Sequence, residues 1–182
     1  MKVVVLHWTF GNPQENRFPW LQKTLEKNWH QVRVPTLPTP ENQSPETRCQ
    51  TLQQQVPFTF DKDTILIGHS LGATHILNIL DQERKEPIKK AILVSWFTKE
   101  LWNKEFDTLN APFLKNRNRE QIKNNAKEFI ILQGDNDPYV PINEAEYLQE
   151  NLEGILEIIP QWGHINTSAG FNKFNEILKY LP

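Results

Sequence analysis

The sequence predicts an α/β fold, a mostly parallel sheet of about six strands with helices on both faces. Three observations carry this. Six short apolar runs alternate with longer amphipathic segments along the 182 residues, and such alternation builds a parallel sheet sandwiched between helices. The runs are continuous rather than alternating, as in Val3-Val4-Val5-Leu6, Ile65-Leu66-Ile67 and Ile130-Ile131-Leu132, which fits strands covered on both faces. Finally, Gly68-His69-Ser70-Leu71-Gly72 joins one apolar run to a helical pattern, so the chain must turn sharply there.

Lys2–Leu6 is the first expected strand. Trp20, Leu21 and Leu25 share one face of a helix beginning near Pro19, a residue suited to a first turn. Gln31–Val34 is the second strand. Pro35–Pro45 carries four prolines and reads as an irregular surface loop within one domain, because neither half of the chain has a core of its own. Gln53, Gln54 and Gln55 form a brief biased patch with no assigned role. Thr64–Ile67 is the third strand, followed by a helix with Leu71, His75, Ile76 and Ile79 on one face. Ala91–Val94 is the fourth. The stretch from Trp96 to Ala126 is long for a strand-to-strand connection and is expected to hold one helix around Arg119–Asn125. Connections of that kind often carry substrate contacts. Phe129–Leu132, a helix over Glu144–Leu152, the strand Leu156–Ile159 and a helix over Phe171–Leu181 complete the series.

The length is that of one domain, residues 1–182, able to bury a substantial core. A formal net charge of −2 gives no electrostatic reason to expect nucleic acid or an anionic membrane as partner. Cys49 is the only cysteine, so no intramolecular disulfide forms and a reducing compartment is the simpler reading. The apolar N-terminal run is too short for a signal-peptide core, and no stretch is long enough to span a bilayer. The expectation is a soluble, cytoplasmic domain.

Ser70 stands at the centre of a complete G-x-S-x-G. A nucleophile raised on a strand-to-helix turn needs minimal side chains two residues before and two after it, and Gly68 and Gly72 supply them. A serine hydroxyl is a weak nucleophile, so it requires a base, and the base an orienting acid. In open α/β sheets such groups lie just past the carboxyl ends of strands. His164 follows the last strand in Gln161-Trp162-Gly163-His164, and Asp135 and Asp137 follow the fifth in Gly134-Asp135-Asn136-Asp137-Pro138. The order Ser, Asp, His is the one used by hydrolases with this turn.

These segments carry a family resemblance. Leu6-His7, Phe18-Pro19-Trp20-Leu21, Gly68–Gly72, Leu93-Val94-Ser95, Asp137-Pro138-Tyr139-Val140-Pro141 and Gly163-His164 make nearly the whole chain similar to the retinoblastoma-binding-protein-nine and YdeN-like group. These are compact α/β-hydrolases without a large cap domain. The resemblance implies Asp137 as the acid, with Asp135 the alternative. It implies a serine hydrolase of carboxylesterase type, acting on a small acyl substrate through an acyl-serine intermediate with no cofactor or metal. The oxyanion donors would be the backbone N–H of Leu71 and, by the same likeness, of Thr9. Many relatives have His-Gly where this chain has His7-Trp8, and the two expectations for Trp8 are that it restricts that loop or that it walls the acyl pocket. Trp8, Trp96, Phe97 and Trp162 all fall just past strand ends and are candidate substrate-facing aromatics.

Plainer readings stand beside these. Ser70 could be an ordinary helix N-cap, Asp137 a turn residue before proline, and His164 an idle loop histidine. His7 and His69 would pack or hydrogen-bond near the site, and His75 would be a core residue. Asp135-Asn136-Asp137 begins like a calcium loop but lacks its glycine and terminal glutamate, and no histidine pair has zinc spacing. The rival functions are a binding protein on a hydrolase scaffold, and an acyl transferase or thioesterase.

Overall fold

The structure, a computed structural model, describes residues 1–181. Six strands form one sheet: β1 (Lys2–Leu6), β2 (Gln31–Arg33), β3 (Thr64–His69), β4 (Lys90–Val94), β5 (Phe129–Gly134) and β6 (Ile155–Ile159). All are parallel, in the order β2-β1-β3-β4-β5-β6. Six α-helices connect them: α1 (Phe18–Glu26), α2 (Pro45–Gln55), α3 (Leu71–Leu80), α4 (Lys104–Asn110), α5 (Arg119–Asn124) and α6 (Ile142–Leu152). None of the helices among the described residues is long and apolar enough to cross a membrane.

The continuous apolar runs serve two cores at once, because successive strand side chains point to opposite faces. Val4 and Leu6, Leu66, Leu93 and Ile131 face α2, α3, α5 and α6. Val3 and Val5, Ile65 and Ile67, Ile92 and Val94, and Ile130 and Leu132 face α1 and the C-terminal segment.

Three helical segments depart from the sequence expectation. The proline-rich stretch ends in α2, started by a capping box in which the Ser44 hydroxyl accepts from the Thr47 N–H and Pro45 occupies the first turn. Its apolar face is narrow, which hides it from periodicity. The C-terminal stretch forms no α-helix. It makes two 3₁₀ turns, Thr167–Ala169 and Asn175–Tyr180. Phe171, Phe174, Ile177 and Tyr180 recur every third residue, the spacing at which side chains eclipse in a 3₁₀ helix, and Gly170 with φ 91° interrupts the backbone before them. The long connection holds α4 as well as the expected helix α5.

Candidate active site

Ser70 sits between β3 and α3 with φ 53° and ψ −120°, a region costly for a residue with a Cβ. Its side chain makes no cap hydrogen bond, so it is no ordinary N-cap. Two close approaches hold the turn. A Cβ on Gly68 would lie 2.4 Å from Ala73 N, and one on Gly72 would lie 2.1 Å from Leu6 O. The first lets the chain fold back on itself. The second lets α3 press against the end of β1, where Leu6 pairs with Gly68 in register.

Asp137 and His164 are brought together by a similar contact. A Cβ on Gly134, the last residue of β5, would meet Gly163 O at 2.2 Å. Asp135 Oδ1 accepts from the Gln161 N–H at 2.7 Å, and Asn136 Oδ1 from the Gly163 N–H at 2.7 Å. The histidine loop is thus strapped by its backbone N–H groups to side chains of the aspartate loop. His164 Nδ1 donates to Asp137 Oδ2 at 2.8 Å, whereas Asp135 is occupied with Gln161. The Asp137 carboxylate is fully buried and also accepts from Tyr139 N–H, Val140 N–H and Gln133 Nε2. Burial pushes its pKa up, but the hydrogen bond and charge of His164 and the two backbone N–H groups outweigh this and hold it below the usual carboxylate value.

Behind His164, His69 Nε2 lies 2.8 Å from the His164 carbonyl oxygen and donates to it, with the two rings 4.8 Å apart. Arg17, wholly buried, donates to the Ile165 carbonyl. Burial, and then the charges of Arg17 and His164, hold the His69 imidazole well below its ordinary pKa. Among the described residues no hydrogen bond joins Ser70 to His164. Both line one cavity of about 210 Å³, and such bonds commonly tighten only when substrate is bound.

That cavity is bounded by Trp8, Thr9, Phe10, Ser70, Leu101, Phe106, Asn110, Tyr139, His164 and Asn166. Two larger surface grooves, of about 640 and 920 Å³, do not include Ser70. The loop after β1 is fixed from several sides. His7 Nδ1 donates to Trp8 O at 2.9 Å, and His7 Nε2 accepts from the Leu37 N–H at 3.0 Å. Arg48, from α2, donates to His7 O at 3.2 Å, and Thr9 Oγ1 donates to Asn110 Oδ1 at 2.6 Å. The left-handed residue of this loop is Phe10, with φ 65°, not Trp8. Trp8 itself takes no left-handed backbone, so a tryptophan fits at this position. Its ring lies over Gly11, whose Cβ would meet it at 2.9 Å, and against Phe18 and His69. Among the described residues the N–H groups of Leu71 and Thr9 meet no protein acceptor.

Three of the four strand-end aromatics do not reach this cavity. Trp96 and Phe97 are 1% exposed, Trp96 in the core that α3 covers and Phe97 packed with Leu71, Phe113 and Val140. Trp162 packs on Phe171 and Phe174, with ring centroids 4.4 and 5.4 Å apart. Burial of large rings against neighbouring helices outweighed their position past strand ends. Trp8 alone of the four lines the cavity. Phe10, Leu101, Phe106, Asn110, Tyr139 and Asn166 went unassigned from sequence. The available signals were the length of the connection carrying Leu101, Phe106 and Asn110, and the closeness of Phe10 and Tyr139 to the motifs.

Comparison with known proteins agrees in its outline. The family model described as serine hydrolase matches residues 3–182. YdeN of Bacillus subtilis (strain 168) is 26% identical over 171 residues, 93% of this chain and 88% of that protein. Serine hydrolase RBBP9 of Rattus norvegicus is 26% identical over 121 residues, 66% of this chain and 61% of that protein. The crystal structure of the Bacillus subtilis ydeN product superposes with a TM-score of 0.90 at 25% identity, covering 99% and 96% of the two chains. Est1E from Butyrivibrio proteoclasticus shares the fold with a TM-score of 0.72 at 18% identity, covering 98% of this chain and 84% of that one.

Proposed function

Because the chain belongs to the serine hydrolase family, we propose that it is a carboxylesterase working through a Ser70–His164–Asp137 triad. The 2.8 Å His164–Asp137 hydrogen bond, beside a cavity that Ser70 and His164 share, carries this reading. Asp137 fixes the tautomer that leaves Nε2 free to accept a proton, and balances the imidazolium that forms. Ser70 Oγ bonds to the acyl carbon as His164 takes its proton. The ester C–O bond then breaks, and His164 returns the proton to the departing alkoxide. Water repeats the sequence to release the acid.

The oxyanion formed at each step needs aimed donors, each worth about 2.7–4 kcal/mol. Leu71 N–H, at the start of α3, and Thr9 N–H are the proposed pair. The hydrogen bonds that hold His7, Trp8 and Thr9 support Thr9 in this role. No cofactor enters the scheme.

A fluorophosphonate probe should label the wild-type protein at Ser70 and leave Ser70→Ala unlabelled. Acyl esters of graded chain length should be hydrolysed by the first and not the second. Equal turnover by both proteins would exclude Ser70 as nucleophile.

A further inference from the structure

The mouth of the Ser70 cavity exposes aromatic rings that core burial cannot account for. Phe10 and Tyr139 are 42% and 48% exposed, yet both are held in place. Phe10 keeps its left-handed backbone, strained for so bulky a residue, while its N–H donates to Thr39 Oγ1 at 2.7 Å. Tyr139 N–H donates to Asp137 Oδ1 at 2.9 Å, which ties its ring to the acid that orients His164. Phe106, on α4, bridges the two. Its ring centroid lies 5.8 Å from that of Phe10 and 6.4 Å from that of Tyr139, at interplanar angles of 68° and 64°. Tyr139 in turn stands edge-on to His164 at 5.0 Å. The three rings form an arch beside Ser70, and no Lys, Arg, Asp or Glu lines the cavity.

Volume sets the size of what enters. A dry cavity of about 150 Å³ holds benzene, so the 210 Å³ here takes one aryl ring with a short linker, whereas a long alkyl chain would have to run out through the mouth into water. The acyl group is the part that stays on Ser70 through both half-reactions, so the cavity beside Ser70 selects on the acyl side. Building on the acyl-serine reading above, we propose that the preferred substrates are esters of short arylalkanoic acids, with one uncharged ring lodged against Phe10, Phe106 and Tyr139. Edge-to-face partners strengthen such binding by about 2- to 12-fold beyond the area they bury. An ionised acyl tail would lose its hydration with no counter-charge to meet it.

The test compares methyl 3-phenylpropanoate with methyl hexanoate and methyl decanoate, using wild type, Phe106→Ala and Phe10→Ala. Fluorophosphonate labelling of Ser70 is measured in the same samples, with 2-phenylethylboronic acid or octylboronic acid as competitor. In the wild type, kcat/KM should favour the phenylpropanoate over the decanoate by about tenfold or more, and the phenylethyl boronate should protect Ser70 at about tenfold lower concentration. Each variant should narrow the ester preference by about 3- to 10-fold. Equal or better use of the decanoate, or better protection by the octyl boronate, overturns the aryl preference while labelling keeps Ser70 as nucleophile. If esters are inert but Ser70 is labelled, the boronate comparison alone decides. Absence of both labelling and hydrolysis removes the esterase reading and this one with it.

Discussion

Replacing Gly72 by alanine tests how the nucleophile turn is held. The added Cβ would lie 2.1 Å from Leu6 O and 2.7 Å from Leu6 C. Relief to even 3.0 Å requires a retreat of about 0.9 Å. The obstacle is backbone, so no side-chain rotation can provide it. Either the N-terminus of α3 or the end of β1 must move. Overpacking of this kind costs about 1–3 kcal/mol, and alanine returns about 0.5–1 kcal/mol through its better helix propensity. Taken at the middle of both ranges, the expected net loss is about 1 kcal/mol, a fall in Tm of roughly 2–4 °C for a chain of this size.

Activity should suffer more than stability. Leu6 and His7 lead directly into Trp8 and Thr9, so the movement separates the two proposed oxyanion donors, and a misplacement near 1 Å can cost about 100-fold in rate. Thermal melting and the rate of fluorophosphonate labelling, measured on the same sample, read the two effects separately. A variant that melts and labels like wild type would show that α3 does not depend on this approach. A variant that melts lower but labels normally would refute the link between the Gly72 contact and the oxyanion loop.

Two further outcomes follow from charge. Burial holds His7 at a pKa of about 4, beyond the opposing pull of its hydrogen bond to Trp8 O, whereas in the unfolded chain it titrates near 6.5. The unfolded state therefore takes up a proton that the folded state refuses between those values. Stability present above pH 6.5 is lost as pH falls toward 4, on the order of 3 kcal/mol from His7 alone. His69 and His75 act in the same direction. Melting curves should drop steeply from pH 7 to 4.5, and less steeply for His7→Gln; a flat wild-type profile would contradict this. Asp137→Asn should lower kcat by about 10⁴-fold, because the amide favours the wrong tautomer of His164, while Asp135→Asn, which only loosens the Gln161 tether, should cost far less. A loss below about tenfold for Asp137→Asn would remove it as the orienting acid.

Much of the architecture could be read from sequence because burial on two faces leaves an unambiguous mark. Val3-Val4-Val5-Leu6 must be apolar throughout, since alternate residues enter different cores. The site segments were legible for a different reason. Ser70, Asp137 and His164 each come within five residues of a strand's end, so chain order alone suggests that the sheet brings them to one edge. What stayed hidden depends on three-dimensional neighbours. Arg48 looks like any helix-surface arginine until α2 carries it beneath the His7 carbonyl. Trp96 and Trp162 share the strand-end position of Trp8 and differ only in what covers them. Phe106 lies over 30 residues beyond Ser70 in sequence, and only the course of the long connection sets it across the cavity mouth.

The members of the proposed triad do not share one foundation. Ser70 follows β3, which is wholly buried in the middle of the sheet. His164 follows β6, a half-exposed edge strand, and leads into a stretch of 3₁₀ turns and mostly exposed residues. Elements with few buried contacts open more readily than a central strand. Fraying of the β6 edge would withdraw the base while the nucleophile kept its posture. On the proposed mechanism, catalysis is then lost before the molecule as a whole comes apart, and the working lifetime is set at the β6 edge of the sheet.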